Sequence, residues 1–263
     1  MKKVALLAAV FFLLAISAAS AKTYSKTEIK TFDISPNGRV VIHNVNGSIK
    51  VESWDKDQVM LQATKTVRAD DQEEADEYFD RLMIEIDNEK DYLEIRTHYP
   101  HDDWNGFWNW LFHGGSRYGG VEYILKVPKG INLEAQTTNG NLDIASVIGG
   151  VKAGSTNGQV NMDNVGGDIN GSTTNGNISA MLSKDVEFKG LKLTTTNGSI
   201  DISCPEDMNA DVSAHTTNGS ISTEFPVTMQ GNFGNKSFEG KINKGGNRIY
   251  LHTTNGSIEI NKR

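Results

Sequence analysis

Three of the chain's four tryptophans, Trp104, Trp108 and Trp110, fall within seven residues, beside Phe107, Leu111 and Phe112. Aromatic rings gathered in one loop stack on sugars or peptides, or anchor in a membrane interface. The same loop can instead fold back and plug one end of a core. Trp104, Phe107, Trp108 and Trp110 are the ligand-binding candidates on this reading. His101, Asp102, Asp103 and His113 flank them, but their spacing matches no strong ligand pattern, so no metal and no cofactor is assigned. Asp143 and Asp201 take outward phases and could supply the carboxylates of a polysaccharide-cleaving enzyme; a solvated polar column is the ordinary explanation. Cys204 is the single cysteine and cannot form an internal disulfide. It follows Ile202 in the inward phase, as a small core residue does. No G-x-S-x-G, H-E-x-x-H, Walker-type loop or dinucleotide fingerprint occurs, and the chain is expected not to be an enzyme.

The elements that would position such residues are announced by a repeat. Thr-Asn-Gly occurs six times, with its asparagine at Asn139, Asn157, Asn175, Asn197, Asn218 and Asn255. Two residues after each glycine stands an aliphatic: Leu142, Val160, Ile178, Ile200, Ile221 and Ile258. Six before each asparagine stand Leu133, Val151, Ile169, Leu191, Val212 and Ile249. Polar residues alternate with these positions, so strands with one buried face flank every copy. Asn-Gly suits a turn with positive φ at both residues. That turn could close an antiparallel hairpin or mark the corner of a β-solenoid coil, and alternation alone fits both. The steps between asparagines, 18, 18, 22, 21 and 37, favour a solenoid, the last being two coils with one corner unmarked. The unvarying spelling points the same way. Asparagines stacked at the strand spacing of about 4.8 Å can hydrogen-bond into a ladder, with threonine columns packed alongside. The six asparagines are therefore assigned to a structural turn ladder.

Composition bounds the rest. The chain opens with Lys2 and Lys3, an apolar run from Val4 to Ile16, and Ala19-Ser20-Ala21. This is the pattern of a secretory signal peptide over residues 1–21. The apolar run is shorter than the roughly 20 residues of a membrane span, so no transmembrane span is expected in the mature chain. Removing both lysines from the 26 basic residues leaves 24 against 33 acidic, a net charge of −9. That sign disfavours nucleic acid as a partner.

Residues 22–130 read as an N-terminal β segment with a helix, a hairpin and the aromatic loop; residues 131–263 carry the solenoid repeats, continuous with it. VVIHNVNGSIKVESW, from Val40, is an earlier copy that lacks the threonine. Carboxylates from Asp70 onward open a helix that carries Ala75, Tyr78, Phe79 and Leu82 on one face. The alternation around Asn88 to Asp91 is that of a hairpin. Both would cap an exposed end of the stack.

The stretches FDISPNGRVVIHNVNGSIKVESWDKDQV, VEYILKVPKGINLEAQTTNGNLDI and GGVKAGSTNG together resemble the bacterial putative-adhesin family, a domain of unknown function related to the GIN-type adhesin head. The resemblance covers about Phe32 to Ile260 and rests on structural positions. It implies an all-β fold, a single-stranded right-handed parallel β-helix in an extracytoplasmic protein, and supplies no catalytic residues. The expected function is a non-enzymatic exported scaffold, adhesin-like or envelope-associated, in the periplasm or at the cell surface, binding an envelope protein or glycan. The alternative is an envelope polysaccharide-binding or polysaccharide-cleaving β-helix that uses the tryptophan loop.

Overall fold

The structure is a computed structural model that describes residues 22–99, 119–186, 188–229 and 236–263. The expected signal peptide lies outside these residues. The chain opens with β1 (Lys22–Asp33), β2 (Arg39–His43), β3 (Ile49–Trp54) and β4 (Gln58–Ala69), then α1 (Gln72–Arg81). A hairpin, β5 (Met83–Glu89) and β6 (Tyr92–His98), and then β7 (Gly120–Pro128) complete the first part. The repeats follow as pairs: β8 (Asn132–Asn139) with β9 (Leu142–Ala145), β10 (Gly150–Asn157) with β11 (Val160–Val165), and β12 (Gly167–Asn175) with β13 (Ile178–Leu182). Next come β14 (Phe188–Asn197) with β15 (Ile200–Cys204) and β16 (Ala210–Asn218) with β17 (Ile221–Thr223). β18 (Val227–Met229), β19 (Ser237–Ile242), β20 (Asn247–Asn255) and β21 (Ile258–Lys262) end the chain.

The first strand of every pair joins an 11-stranded sheet (the parallel sheet) and the second a 10-stranded sheet opposite it (the facing sheet), which is parallel through the coils as well. Neighbouring pairs run parallel and in register, so Val151 lies between Leu133 and Ile169, and Ile200 between Ile178 and Ile258. Parallel pairing excludes the antiparallel meander: each Asn-Gly turns the chain from one sheet into the other. The inward residues of both sheets form one buried cluster from Ile34 to Ile260, and the aliphatics flanking each corner are buried except Ile221, which is half-buried in the terminal coil. Fully burying each such side chain is worth roughly 1.5–3 kcal/mol. A single coil leaves its apolar faces bare, so the coils stabilise one another.

The stack does not follow chain order throughout. β2 and β3 pair with β8 and β9, so the earlier copy without threonine joins the stack directly. More unexpectedly, β20 lies between β14 and β16, and β21 between β15 and β17. The final step of 37 residues is therefore not two coils with a missing corner. Instead the chain makes β17, β18 and β19, with β19 antiparallel to β16 on its outer side. It then returns to place its last coil beneath the one made before.

The other end is closed as the polarity of its segments dictates. Asp71 caps α1 by accepting from the Glu74 backbone N–H at 2.9 Å, and Ala75 and Phe79 are buried against Val67 and Ala69 of β4. The β5–β6 hairpin extends the parallel sheet beyond β2, while β1 and β4 add antiparallel strands to the facing sheet beyond β7.

Candidate functional site

The corner peptides make one continuous column. Asn139 donates through Nδ2 to Asn46 Oδ1, Asn157 to Asn139, Asn175 to Asn157, Asn197 to Asn175, Asn255 to Asn197 and Asn218 to Asn255, all at 2.8–2.9 Å. The carboxamide is the one short side chain that offers a donor and an acceptor in the same plane, so each member between Asn46 and Asn218 at the ends serves both neighbours.

The threonine directly before each asparagine faces out. Two before the asparagine, at inward parity, stand Thr137, Ser155, Thr173, Thr195, Thr216 and Thr253, and these are the buried ones. Each hydroxyl donates at 2.7–3.1 Å to the carbonyl of the glycine in the adjacent coil, as Thr195 Oγ1 does to Gly176. Asn44 takes this place in the first corner, donating to the Val121 carbonyl and accepting from the Tyr99 hydroxyl. Desolvation in that position pushes the Tyr99 phenol up to about 12. Asn197→Ala is expected to cost about 1–2 kcal/mol in chemical denaturation, since it removes one exposed link on each side. Thr195→Val should cost a similar amount by removing the buried hydroxyl that donates to the half-buried Gly176 carbonyl, while Thr196→Ala should stay within about 0.5 kcal/mol.

The glycines serve a purpose other than the expected one. Among the described corners only Gly47 and Gly256 have positive φ, and no ladder asparagine has it. The corner joins two sheets rather than reversing a hairpin, so a type I′ turn is not formed. Glycine is required because a Cβ at Gly140, Gly158, Gly176, Gly198, Gly219 or Gly256 would stand 1.9–2.2 Å from the carbonyl oxygen of the stacked glycine.

With corners in register, any fixed offset from the asparagine becomes a straight column on a sheet face. On the facing sheet Asp143, Asn161, Ser179, Asp201 and Glu259 make one such column. Asp143 accepts from Asn161 at 2.8 Å and Asp201 from Asn261 at 3.2 Å. Asp143 and Asp201 are three strand steps apart, roughly 14 Å, beyond the 5–9.5 Å that separates the carboxyls of glycoside hydrolases. Cys204 is buried, and desolvation pushes its thiol up to about 12, far from thiolate reactivity.

The outer face of the parallel sheet is more varied. Five residues before the asparagine run Glu134, Lys152, Asn170, Lys192, Tyr250 and Ser213; seven before run Asn132, Gly150, Asp168, Gly190, Arg248 and Asp211. Between these columns from β8 to β20 lies an open furrow of about 630 Å³, with Arg39 at its far end. Glu134 accepts from Arg39 at 2.6 Å and from Lys152 at 2.7 Å. The Lys152 bond, then that of Arg39, holds its carboxyl below the ordinary range. A depressed carboxyl contributes stability that is present above its unfolded value, about 4.3, and lost as pH falls through the folded one. Wild type should therefore melt above Glu134→Gln at neutral pH, and the difference should begin to shrink at about pH 4.3 and disappear only once the pH has fallen below the depressed folded value. At the other end Tyr250 is 42% exposed, with Lys192 Nζ 5.9 Å from its ring centroid, and the His252 ring stacks on that of His215 at 5.5 Å.

Trp104, Phe107, Trp108 and Trp110 lie outside the described residues, as do His101, Asp102, Asp103 and His113. Among the described residues no three His, Cys, Asp or Glu are grouped to hold a metal ion, and no helix is long and apolar enough to cross a membrane. The charged furrow residues escape a motif search because no two are adjacent in the sequence. Their signal is the shared offset from Asn-Gly.

Comparison with curated proteins gives no match. Among solved structures, a "putative cell adhesion protein" from Clostridium sporogenes aligns with a TM-score of 0.51 at 13% identity, over 91% of this chain and 100% of that one. A "putative adhesin" from Bacteroides fragilis aligns over 90% of this chain and 97% of its own, at 9% identity and a TM-score of 0.37. Likeness at such identity speaks to fold alone. The sequence model described as Toastrack DUF4097 matches residues 36–261, from the strand before the first corner to the end of the inserted last coil. That match spans well over half of the sequence, and the chain belongs to the Toastrack DUF4097 family.

Proposed function

We propose that this protein is a non-enzymatic exported scaffold, adhesin-like or envelope-associated, that binds a partner through the outer face of its parallel sheet. The observation that carries this reading is the alignment of side chains into straight columns across that face, on strands locked by the corner column. Such a face is pre-organised, so little side-chain and backbone entropy is lost when a partner settles on it. The wide separation of Asp143 and Asp201 and the raised Cys204 thiol support a binding rather than a catalytic role. The signal-peptide pattern of residues 1–21 supports export to the periplasm or cell surface. Residues 22–130 close one end and supply the first coil, and residues 131–263 supply the coils that continue it. We take the path through β8 to β15 to be right-handed, the hand that parallel crossovers adopt almost without exception.

The test places a photo-crosslinking amino acid at Thr196 on the parallel sheet or at Ser179 on the facing sheet. Both chains are then incubated with envelope extract from the native cells. Adducts from position 196 and none from 179 are expected. Adducts from 179 alone, or turnover of an envelope polymer by the purified chain, would refute the proposal.

A further inference from the structure

The furrow on the parallel sheet has the charge pattern of a site for a linear acidic polysaccharide. Its charged residues follow the stack in the order Arg39 on β2, Glu134 on β8, Lys152 on β10, Asp168 on β12, Lys192 on β14 and Arg248 on β20. With Asp211, the register partner of Arg248 on β16, four cations meet three carboxylates on a chain whose overall charge is −7. The excess is concentrated at one end. Glu134 engages Arg39 and Lys152, whereas Lys192 and Arg248 have no carboxylate within ion-pair distance among the described residues. Tyr250 stands beside both and is 42% exposed, with Lys192 Nζ 5.9 Å from its ring centroid and the His252 ring at 6.4 Å; sugars stack on aromatic rings of this kind. Gly150 and Gly190 leave the floor of the lower column open, so a chain can lie along it.

We infer that this furrow binds a linear polysaccharide in which a uronic acid alternates with an uncharged sugar. The inference rests on the binding role proposed above and names its ligand class. From β8 to β20 the furrow is four strand steps long, about 19 Å, which suits an extended chain rather than a single small molecule. The alternation of sign selects the polymer. The Asp168 carboxylate on β12 accepts hydroxyl or amide donors from uncharged sugars, Glu134 being held by Arg39 and Lys152, while Lys192 and Arg248 take the acid group, Arg248 through its two-pronged guanidinium. A polymer with an acid on every unit would place charge against Glu134 and Asp168, a cost that spaced charges avoid. A peptide would find no unpaired strand edge here, since every strand of the furrow is flanked on both sides.

The test uses the mature full-length chain and a decasaccharide of alternating glucuronate and N-acetylglucosamine as the probe, titrated by calorimetry. Oligogalacturonate and dextran sulfate serve as dense polyanions. Binding of the probe is expected to fall at least tenfold in Tyr250→Ala and in the double variant Lys192→Gln, Arg248→Gln. It should rise several-fold in Glu134→Gln, which frees Arg39 and Lys152, and stay unchanged in Lys50→Gln on the facing sheet. Circular dichroism of each variant confirms that losses are not unfolding. Dextran sulfate binding as tightly as the probe and indifferent to Tyr250 would overturn the inference, as would an unbound probe. Crosslinking of envelope material from position 196 in the same preparation separates the two levels. If it persists while the probe fails, the ligand class is wrong and the binding face stands; if both fail, both fall.

Discussion

Gly176→Ala is expected to cost about 3 kcal/mol, at the top of the range for overpacked interiors. The added methyl would sit 2.0 Å from the Gly158 carbonyl oxygen. That atom is backbone, so no side chain can rotate away, and separating the coils there would stretch hydrogen bonds on both sheets. The Gly158 carbonyl also accepts from the buried Thr173 hydroxyl at 2.9 Å, a bond the same displacement would weaken. Gly154→Ala is the control, because its Cβ would meet only side-chain atoms at ordinary contact distance on the outer face, Ser172 Oγ at 3.4 Å and Gln136 Cγ at 3.8 Å. With space available and no positive φ, alanine there should be neutral or stabilise by up to about 1 kcal/mol through the unfolded chain. Urea midpoints for the two variants measure the contrast. Similar values would mean that glycine is not needed for the close approach of coils.

Ile200→Ala should be comparably damaging, at about 2–5 kcal/mol. Ile200 is fully buried and lies in register between Ile178 and Ile258, so truncation opens a cavity that rigid neighbours on both sides cannot fill. Ile221 holds the same place in the terminal coil, where it is only half-buried and pairs on one side alone. Ile221→Ala should cost less than half as much in the same denaturation experiment. Equal losses would contradict the difference in burial between central and terminal coils.

The fold could be read in the sequence wherever one residue's parity decides its side. The alternation around each Asn-Gly marks the buried set from Leu133 to Ile258, and the acidic first turn with Ala75 and Phe79 marks the helix. What could not be read has a common cause: the repeats are interchangeable. The corner around Asn255 makes the same bonds as the corner around Asn218, so nothing in the spelling says which of them rests on Asn197. Stack order follows instead from the antiparallel β18 and β19, which occupy the outer side of β16. Parity did hold one unused signal. Thr or Ser two before every asparagine is a hydroxyl at an inward position, where an apolar residue is the norm, and such a group must find a buried acceptor. The furrow was invisible for a related reason, since Lys192 and Tyr250 are 58 positions apart and become neighbours only once β20 is inserted beside β14.

Insertion of the last coil also gives the sharpest test of the stack. In a Cys204→Ala chain, cysteines at positions 194 and 252 would lie on paired strands about 4.8 Å apart, inside the Cα range of a disulfide. Cysteines at 194 and 215 would be two strand steps apart, about 9.6 Å, and beyond it. Mild oxidation of the monomer should link Thr194→Cys to His252→Cys and leave Thr194→Cys with His215→Cys unlinked. The reverse pattern would show the coils laid down in chain order and contradict the arrangement on which the furrow depends.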